Sequence, residues 1–476
     1  MLQGVQGTTK FIIHNNSATN LRRALMERVF NVEVNGQLQR PPQPLPGIFA
    51  SLLGLRDRIA HSVGKLSPVS RSNFVATRPV EKRKCYENAY ASLQLTPTSV
   101  RDARVDGAFV KCEKINASKK GDPAPRIIQP RNARYNIEVG RYLVVAEHKI
   151  YNAIDELWGS PTVMKSYNVE EIGGIVADKW GKFTDPVALG LDASRFDQHV
   201  SVSALEFEHS LYNMIFDSPE LGRLLRWQLD NRGVAHADDA TFVYRKPGSR
   251  MSGDMNTALG NILIMCLMVY YYCSVRGVRA ELVNNGDDCT LIFERADIPR
   301  LTDGLHGWFL QYGFNIVEEP IVDVIEEIEF CQMHPVCVNG RYKMVRNFWT
   351  SLSKDAVSIR SRTTTELRQW MHCVGKCGLS VASGVPVVQE YYDYYVRNGI
   401  KGKRLKDVET LEGRCGLTWF SRGLTAKSVD IDDLTRVSFY RAFGVDAAMQ
   451  YALEGEFREL TFSANAPQAD NYIVYT

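Results

Sequence analysis

AELVNNGDDCTLIFE, residues 280–294, sets an acidic pair between two short apolar runs. Asn285-Gly286-Asp287-Asp288 has the composition of a tight turn, and the flanks Ala280 to Asn284 and Cys289 to Glu294 read as strands, so the segment predicts a β-hairpin. Gly and Asp are turn residues by nature, and alone the tripeptide needs no further explanation. Its apolar flanks change the reading: Asp287 and Asp288 stand at the tip of a buried hairpin, where paired carboxylates are costly unless cations occupy the site.

Upstream, PVALGLDASRFDQH (186–199) is an apolar strand ending at Asp192, then a turn and a helix predicted from about Gln198 to Phe216. Asp is favoured at strand ends and helix N-caps, which would account for Asp192 and Asp197 singly. If this strand lies beside the hairpin, Asp192 and Asp287 converge and can share two Mg²⁺ ions, an arrangement suited to nucleotidyl transfer. Between them, Ser252-Gly253-Asp254-Met255-Asn256-Thr257-Ala258-Leu259-Gly260-Asn261 is a loop running into an apolar helix over Leu259 to Ser274. Gly253 permits close backbone approach, and Ser252, Thr257 and Asn261 offer uncharged hydrogen-bonding groups for a ribose or a template backbone.

Charge is unevenly spread. The 476 residues carry a net charge of only +3, yet residues 1–150 hold 24 Lys and Arg against 11 Asp and Glu. The basic stretch Lys111, Lys114, Lys119, Lys120, Arg126, Arg131 and Arg134 suits triphosphate and RNA backbone. The 45% hydrophobic and 23% charged fractions are those of a folded globular protein and exclude disorder. Ten scattered cysteines form no CxxC cluster, which fits a reducing compartment, and Cys373 with Cys377 is a poor zinc pair. The start has no signal or transit pattern, and Ala258 to Cys273, interrupted by Gly260 and Asn261, reads as a buried helix rather than a membrane span. PPQPLPG at 41–47 reads as an extended surface strap.

The order of basic loop, Asp-x₄-Asp, Ser-Gly-x₃-Thr-x₃-Asn and Gly-Asp-Asp resembles the successive signatures of positive-strand RNA virus RNA-dependent RNA polymerases. The wording Asp-Pro-Ala-Pro-Arg126-Ile-Ile-Gln-Pro-Arg131, Asp192-Ala-Ser-Arg-Phe-Asp197-Gln-His and Glu329-Phe-Cys-Gln332 is similar to the tombusvirus and carmovirus group, with luteovirus-type enzymes close behind.

The resemblance implies an α+β right-hand polymerase whose antiparallel palm sheet is flanked by helices. Residues 1–184 would form an amino-terminal extension and fingers, 185–346 the palm with a fingers insertion at about 217–250, and 347–476 the thumb. It implies Asp192 and Asp287 as metal ligands with Asp288 ancillary, Mg²⁺ as cofactor with Mn²⁺ as a substitute, and Arg126 on the incoming triphosphate. Asp197 and Asn261 would sense the ribose 2′ hydroxyl with Ser252 and Thr257 in support. Lys111, Lys114, Lys119, Lys120, Arg131 and Gly253 would meet RNA, and Glu329 to Gln332 would open a primer-grip hairpin. The implied partners are single-stranded viral RNA template, ribonucleoside triphosphates and a membrane-anchored viral replication protein or upstream replicase segment, at membrane-bound sites in the host cytoplasm. A reverse transcriptase is the enzymatic alternative and a catalytically silent RNA-binding scaffold the non-enzymatic one. One departure is that no lysine lies between Cys289 and Tyr342 to protonate pyrophosphate; His306 is a candidate donor, against its reading as a surface histidine with water or Arg295 and Arg300 stabilising the leaving charge.

Overall fold

Residues 11–117, 121–358, 363–402, 420–462 and 473–475 are described by a computed structural model of the chain. Near the amino terminus, β1 (Phe11–Ile13) is followed by α1 (Ala18–Leu25), which Ser17 caps, and by a π-helical turn over Met26–Phe30. Then come β2 (Val105–Val110), β3 (Ile115–Asn116), β4 (Ile127–Ile128) and the 26-residue α2 (Ala133–Trp158). The proline strap does lie along the surface: Leu45 donates its N–H to the Gln311 carbonyl, and Gly313 sits against Pro42 and Pro44.

The apolar run at 186 becomes β5 (Pro186–Ala193), and the helix predicted after it forms in two pieces, Phe196–His199 and α3 (Val202–Phe216). The break has a local cause, because Val200 turns extended and the Ser201 side chain accepts from the Ala204 N–H to start α3. Strands β6 (Asp230–His236) and β7 (Thr241–Pro247) return to the amino-terminal region and join its second sheet in the order β4-β2-β6-β7. Helix α4 (Thr257–Arg276) precedes the hairpin of β8 (Ala280–Asn285) and β9 (Asp288–Glu294), and α5 (Leu305–Gln311) leads into β10 (Ile316–Glu318).

These strands build an antiparallel sheet in the order β8-β9-β5-β10. Successive side chains alternate faces. Val187, Leu189, Leu191, Leu291 and Phe293 enter a core shared with α2, α3 and α4, whereas Ala188, Val283 and Ile292 enter another with Val169, Ile172 and Val176. Burial on both faces explains why the strands read as near-continuous apolar runs. Helix α4 runs 20 residues, longer than the sequence suggested and enough to cross a membrane by length and composition, but 72% of its most apolar window is packed inside the protein. A further hairpin, Met333–Val338 with Arg341–Arg346, links this sheet to a mostly helical carboxy-terminal part built on Trp370, Tyr391, Tyr392 and Tyr395. Strand Ile473–Tyr475 returns to pair with β1.

Candidate functional site

The hairpin turn is tighter than the sequence suggested: β8 runs to Asn285, β9 starts at Asp288, and Gly286 and Asp287 alone span the turn. Gly286 takes φ +94°, a conformation only glycine adopts freely. Buried Asn284 pins the turn, its side chain accepting from the Gly286 N–H and donating to the Gly286 and Asp288 carbonyls. The cross-strand register sets Asp288 directly opposite Asp192, with Asp287 one residue away in the turn. Three carboxylates therefore meet at one end of the sheet.

Their electrostatics record the meeting. Asp192, Asp287 and Asp288 keep exposed surface, yet partial loss of hydration raises the Asp287 carboxyl above its ordinary range; Asp197 and Asp192 add to that rise, and Arg126 opposes it. Asp288 is pushed up to about 6, by desolvation first and then by Asp287, against a hydrogen bond from Cys331. Such raised carboxyls mark a place short of positive charge. The donor set is oxygen only, which fits a hard divalent cation such as Mg²⁺ or Mn²⁺ better than a soft one. Among the described residues no three His, Cys, Asp or Glu side chains already stand close enough together to cage an ion.

Beside the carboxylates, the loop before α4 closes on β5 and its turn. Ser252 Oγ donates to Asp197 Oδ2 at 2.7 Å, and Asn261 Nδ2 donates to Asp197 Oδ1 at 2.8 Å. Ser252, Asp197 and Asn261 are thus brought together. Thr257 is not, because its hydroxyl donates to the Asp254 carbonyl at 2.9 Å and closes its own loop. Gly253, at φ +137°, does allow a close approach, but to the backbone of Gln129 and Pro130, which a Cβ there would meet at 3.0 to 3.4 Å. Gly253 is nonetheless exposed.

The cations divide more sharply. Arg126, 59% exposed at its side chain, touches Glu113 at 3.4 Å and is the predicted cation whose charge is felt at Asp287. Lys111 pairs with Glu113 at 2.9 Å, and Lys114 Nζ donates to the carbonyls of Lys354 and Val357, both at 2.7 Å, tying the amino-terminal region to the carboxy-terminal helices. Arg131 is a correction. It is buried, ion-paired with Asp254 and bonded to Asn231 and the Ala103 carbonyl, so it cannot reach RNA. Arg134 is likewise spent on Asp102, Ser92 and nearby carbonyls. Lys119 and Lys120 lie outside the described residues.

Sequence reasoning missed Arg28 and Arg195. Arg28, on the π-helical turn, donates through Nε and Nη2 to the Ala124 carbonyl, both at 3.3 Å, and Arg195 Nη1 donates to the Glu27 carbonyl at 2.5 Å. Burial, then repulsion from Arg195 and Arg126, lowers Arg28 to about 10. Three guanidinium groups are therefore gathered near one another, and one of them, Arg126, is felt at Asp287. Arg195 stood in view inside the Asp-x₄-Asp motif; Arg28 carried no signal, since only the fold brings residue 28 to residue 195.

On the other side, Cys331 and Gln332 both take left-handed backbone conformations, at φ +53° and +61°. With Asp288, Asn285, Arg346 and Lys354 they line a cavity of about 310 Å³ beside the carboxylates. His306 is exposed on α5, and its Nδ1 bonds the Ile316 carbonyl at 2.9 Å, next to the end of β5.

A family model described as viral RNA dependent RNA polymerase matches residues 1–465. The chain is 46% identical, over 97% of its length and 48% of the relative's, to the RNA-directed RNA polymerase of Maize chlorotic mottle virus. It is 45% identical to that of Turnip crinkle virus, over 96% of this chain and 59% of the relative, and 45% identical to that of Carnation mottle virus, over 97% and 60%. The chain thus spans about half to three fifths of the length of these relatives.

Proposed function

The chain belongs to the viral RNA-dependent RNA polymerase family, and from that premise we propose that it copies a single-stranded positive-strand viral RNA genome from ribonucleoside triphosphates. The observation that carries the proposal is the register that sets Asp288 opposite Asp192 with Asp287 in the adjoining turn.

In this reading the β8-β9-β5-β10 sheet with α3 and α4, within residues 185–346, is the palm. Residues 1–184 with the insertion at about 217–250 are the fingers, and 347–476 the thumb. Asp192 and Asp287 would hold Mg²⁺, or Mn²⁺ in its place, with Asp288 beside them. When bound, the ions lower the barrier to attack by a 3′ hydroxyl and neutralise charge on the departing pyrophosphate. Arg126, Arg28 and Arg195 orient the triphosphate, and Asp197 with Asn261 accepts the ribose 2′ hydroxyl. The cavity lined by Cys331 and Gln332 seats the end of the growing strand. The polar Asp197 argues against a reverse transcriptase, for which a bulky apolar gate is expected at this position. A silent scaffold would have no use for carboxylates gathered so that Asp287 and Asp288 are both held above their ordinary range. We place the work at membrane-bound sites in the host cytoplasm through a membrane-anchored replication protein or upstream replicase segment, as the resemblance implies; among the described residues the one helix long and apolar enough to cross a membrane, α4, is mostly packed in the core.

The test is incorporation of labelled ribonucleotides on an RNA template with and without Mg²⁺. Asp287→Asn should abolish extension and leave RNA binding nearly intact, since binding rests on phosphate contacts elsewhere. Wild-type turnover in that variant would remove the assignment.

A further inference from the structure

Behind Asp197 lies a buried polar chain that no surface contact explains. Arg250 and Glu208 form an ion pair at 2.5 Å with both side chains wholly buried. Glu208 also accepts from Asn256 at 2.7 Å and from the Tyr212 hydroxyl at 2.9 Å. Arg250 Nε donates to Asn261 Oδ1 at 2.7 Å, and the Arg250 backbone N–H donates to the Asp197 carbonyl at 2.8 Å. One residue thus holds both members of the Asp197–Asn261 pair. Space is reserved for it: a Cβ on Gly260 would stand 2.4 Å from Arg250 Nη2 and 2.5 Å from Glu208 Oε1.

As a stabilising device the pair is a poor choice. Buried ion pairs return little over well-packed apolar residues, and Arg250 Nη1 is buried with no hydrogen-bond partner, a cost that calls for an explanation. The chemistry of the donors supplies one. Arginine has donors and no acceptor, so only the carbonyl oxygen of the Asn261 amide can face Nε. The amide nitrogen must then face Asp197. The reverse orientation would set an NH₂ against the guanidinium and an oxygen against the carboxylate. With the amide fixed, one Asn261 N–H is committed to Asp197 and the other is left for an oxygen that both donates and accepts, as a 2′ hydroxyl does.

We propose that the Arg250–Glu208 pair, seated on Gly260, is a positioning device that fixes the sense of the Asn261 amide and thereby sets ribose over deoxyribose selection. The proposal rests on the polymerase reading and deepens it. Neither residue touches the sugar; both act through Asn261 and Asp197.

The test compares kcat/KM for ribonucleotides and 2′-deoxyribonucleotides on an RNA template, using the full chain. Arg250→Lys keeps a charge for Glu208, but a single ammonium cannot also present the side-on Nε donor. Gly260→Ala keeps every polar group and displaces the pair by volume, while favouring the helix that contains it. Both variants should lower the ribose-to-deoxyribose ratio at least about tenfold through a higher ribonucleotide KM, with RNA affinity close to wild type, read at a temperature below the lowered melting point that disturbing a wholly buried pair brings. In a double variant with Asp197→Ala, Arg250→Lys should add no further loss, because both changes break one device. An unchanged ratio in either folded, RNA-binding variant, or additive losses in the double, overturns the proposal. If the wild-type chain incorporates no nucleotide at all, the polymerase reading itself fails and the proposal falls with it.

Discussion

Arg131→Met separates a structural cation from an RNA-binding one. Both partners of the Arg131–Asp254 pair are almost fully buried, so the substitution strands a carboxylate with no counter-charge, a change that costs about 3–5 kcal/mol. The Asn231 side-chain oxygen, which accepts from Arg131 at 2.6 Å, and the Ala103 carbonyl lose a donor as well, at about 1–3 kcal/mol for each group left unsatisfied. These losses overlap, and a net destabilisation of at least about 4 kcal/mol is expected. Urea unfolding followed by fluorescence should show a lowered midpoint, and Arg131→Met with Asp254→Leu should recover most of it, because the orphaned charge is then gone. Under conditions where the single variant is folded, its RNA affinity should fall with salt along the wild-type slope. Wild-type stability together with a salt slope smaller by about one would refute this and return Arg131 to the RNA surface.

Asp288 has a folded pKa raised above its unfolded value, so its charged form destabilises the fold: the penalty is absent below about pH 4, grows as pH rises towards 6 and is complete above it. The shift corresponds to about 3 kcal/mol, but water reaches the side chain, and screening reduces the expected gain from Asp288→Asn in metal-free protein at pH 8 to about 1 kcal/mol; equal stability of variant and wild type there would contradict it. His209 is buried and held down at about 4 by desolvation first, its Nε2 paired with Gln228 at 3.1 Å, so the unfolded chain takes up a proton that the folded one refuses. Stability should fall as pH drops from about 6.5 to 4, by at most about 3 kcal/mol, and a His209→Gln variant with the same acid profile would count against this. Arg28→Ala should raise the KM for nucleoside triphosphates about tenfold or more while RNA affinity changes by less than twofold, charge-assisted bonds to phosphate being worth about 1.5–3 kcal/mol; a larger effect on RNA than on nucleotide would move Arg28 out of the triphosphate site.

Much of the central sheet was legible because its signals are local. The apolar run around Leu189 and Leu191, the turn chemistry at Gly286 and the apolar run of α4 each fix an element over fewer than 21 residues. Asp192, Asp197, Ser252, Asn261 and Asp287 were legible for a related reason, since each sits at the end of such an element. The cations were not. Lysine and arginine are mostly solvated, and a run of them states a net charge without saying which member faces outward. Arg126 and Arg131 are five positions apart in one basic stretch, yet the first is exposed and the second carries a buried ion pair. What separates them is Asp254, more than a hundred residues away, and no local pattern announces that partner. Thr257 fails in a similar way, because a hydroxyl near a helix start serves the loop as readily as a ligand.

The same contrast explains why the buried polar groups here fall into two kinds. Arg131 and Asp254 hold β6, the basic stretch and the loop before α4 together, and their loss should appear as lost stability. Arg250 leaves a nitrogen unsatisfied, and desolvation with neighbouring carboxylates raises the proton affinity of Asp287 and Asp288; these groups keep a cost that apolar replacements would remove. Costs of this kind persist where structure around them over-determines the arrangement and something else gains from it. The two-residue turn pinned by Asn284 and the close packing against Gly260 are such surroundings, one holding the carboxylates at the tip and the other holding the guanidinium behind the sugar pair. Stability and selectivity should therefore separate experimentally: variants at Arg131 lower stability with little effect on selectivity, and variants at Arg250 or Gly260 change selectivity even at temperatures where they are fully folded.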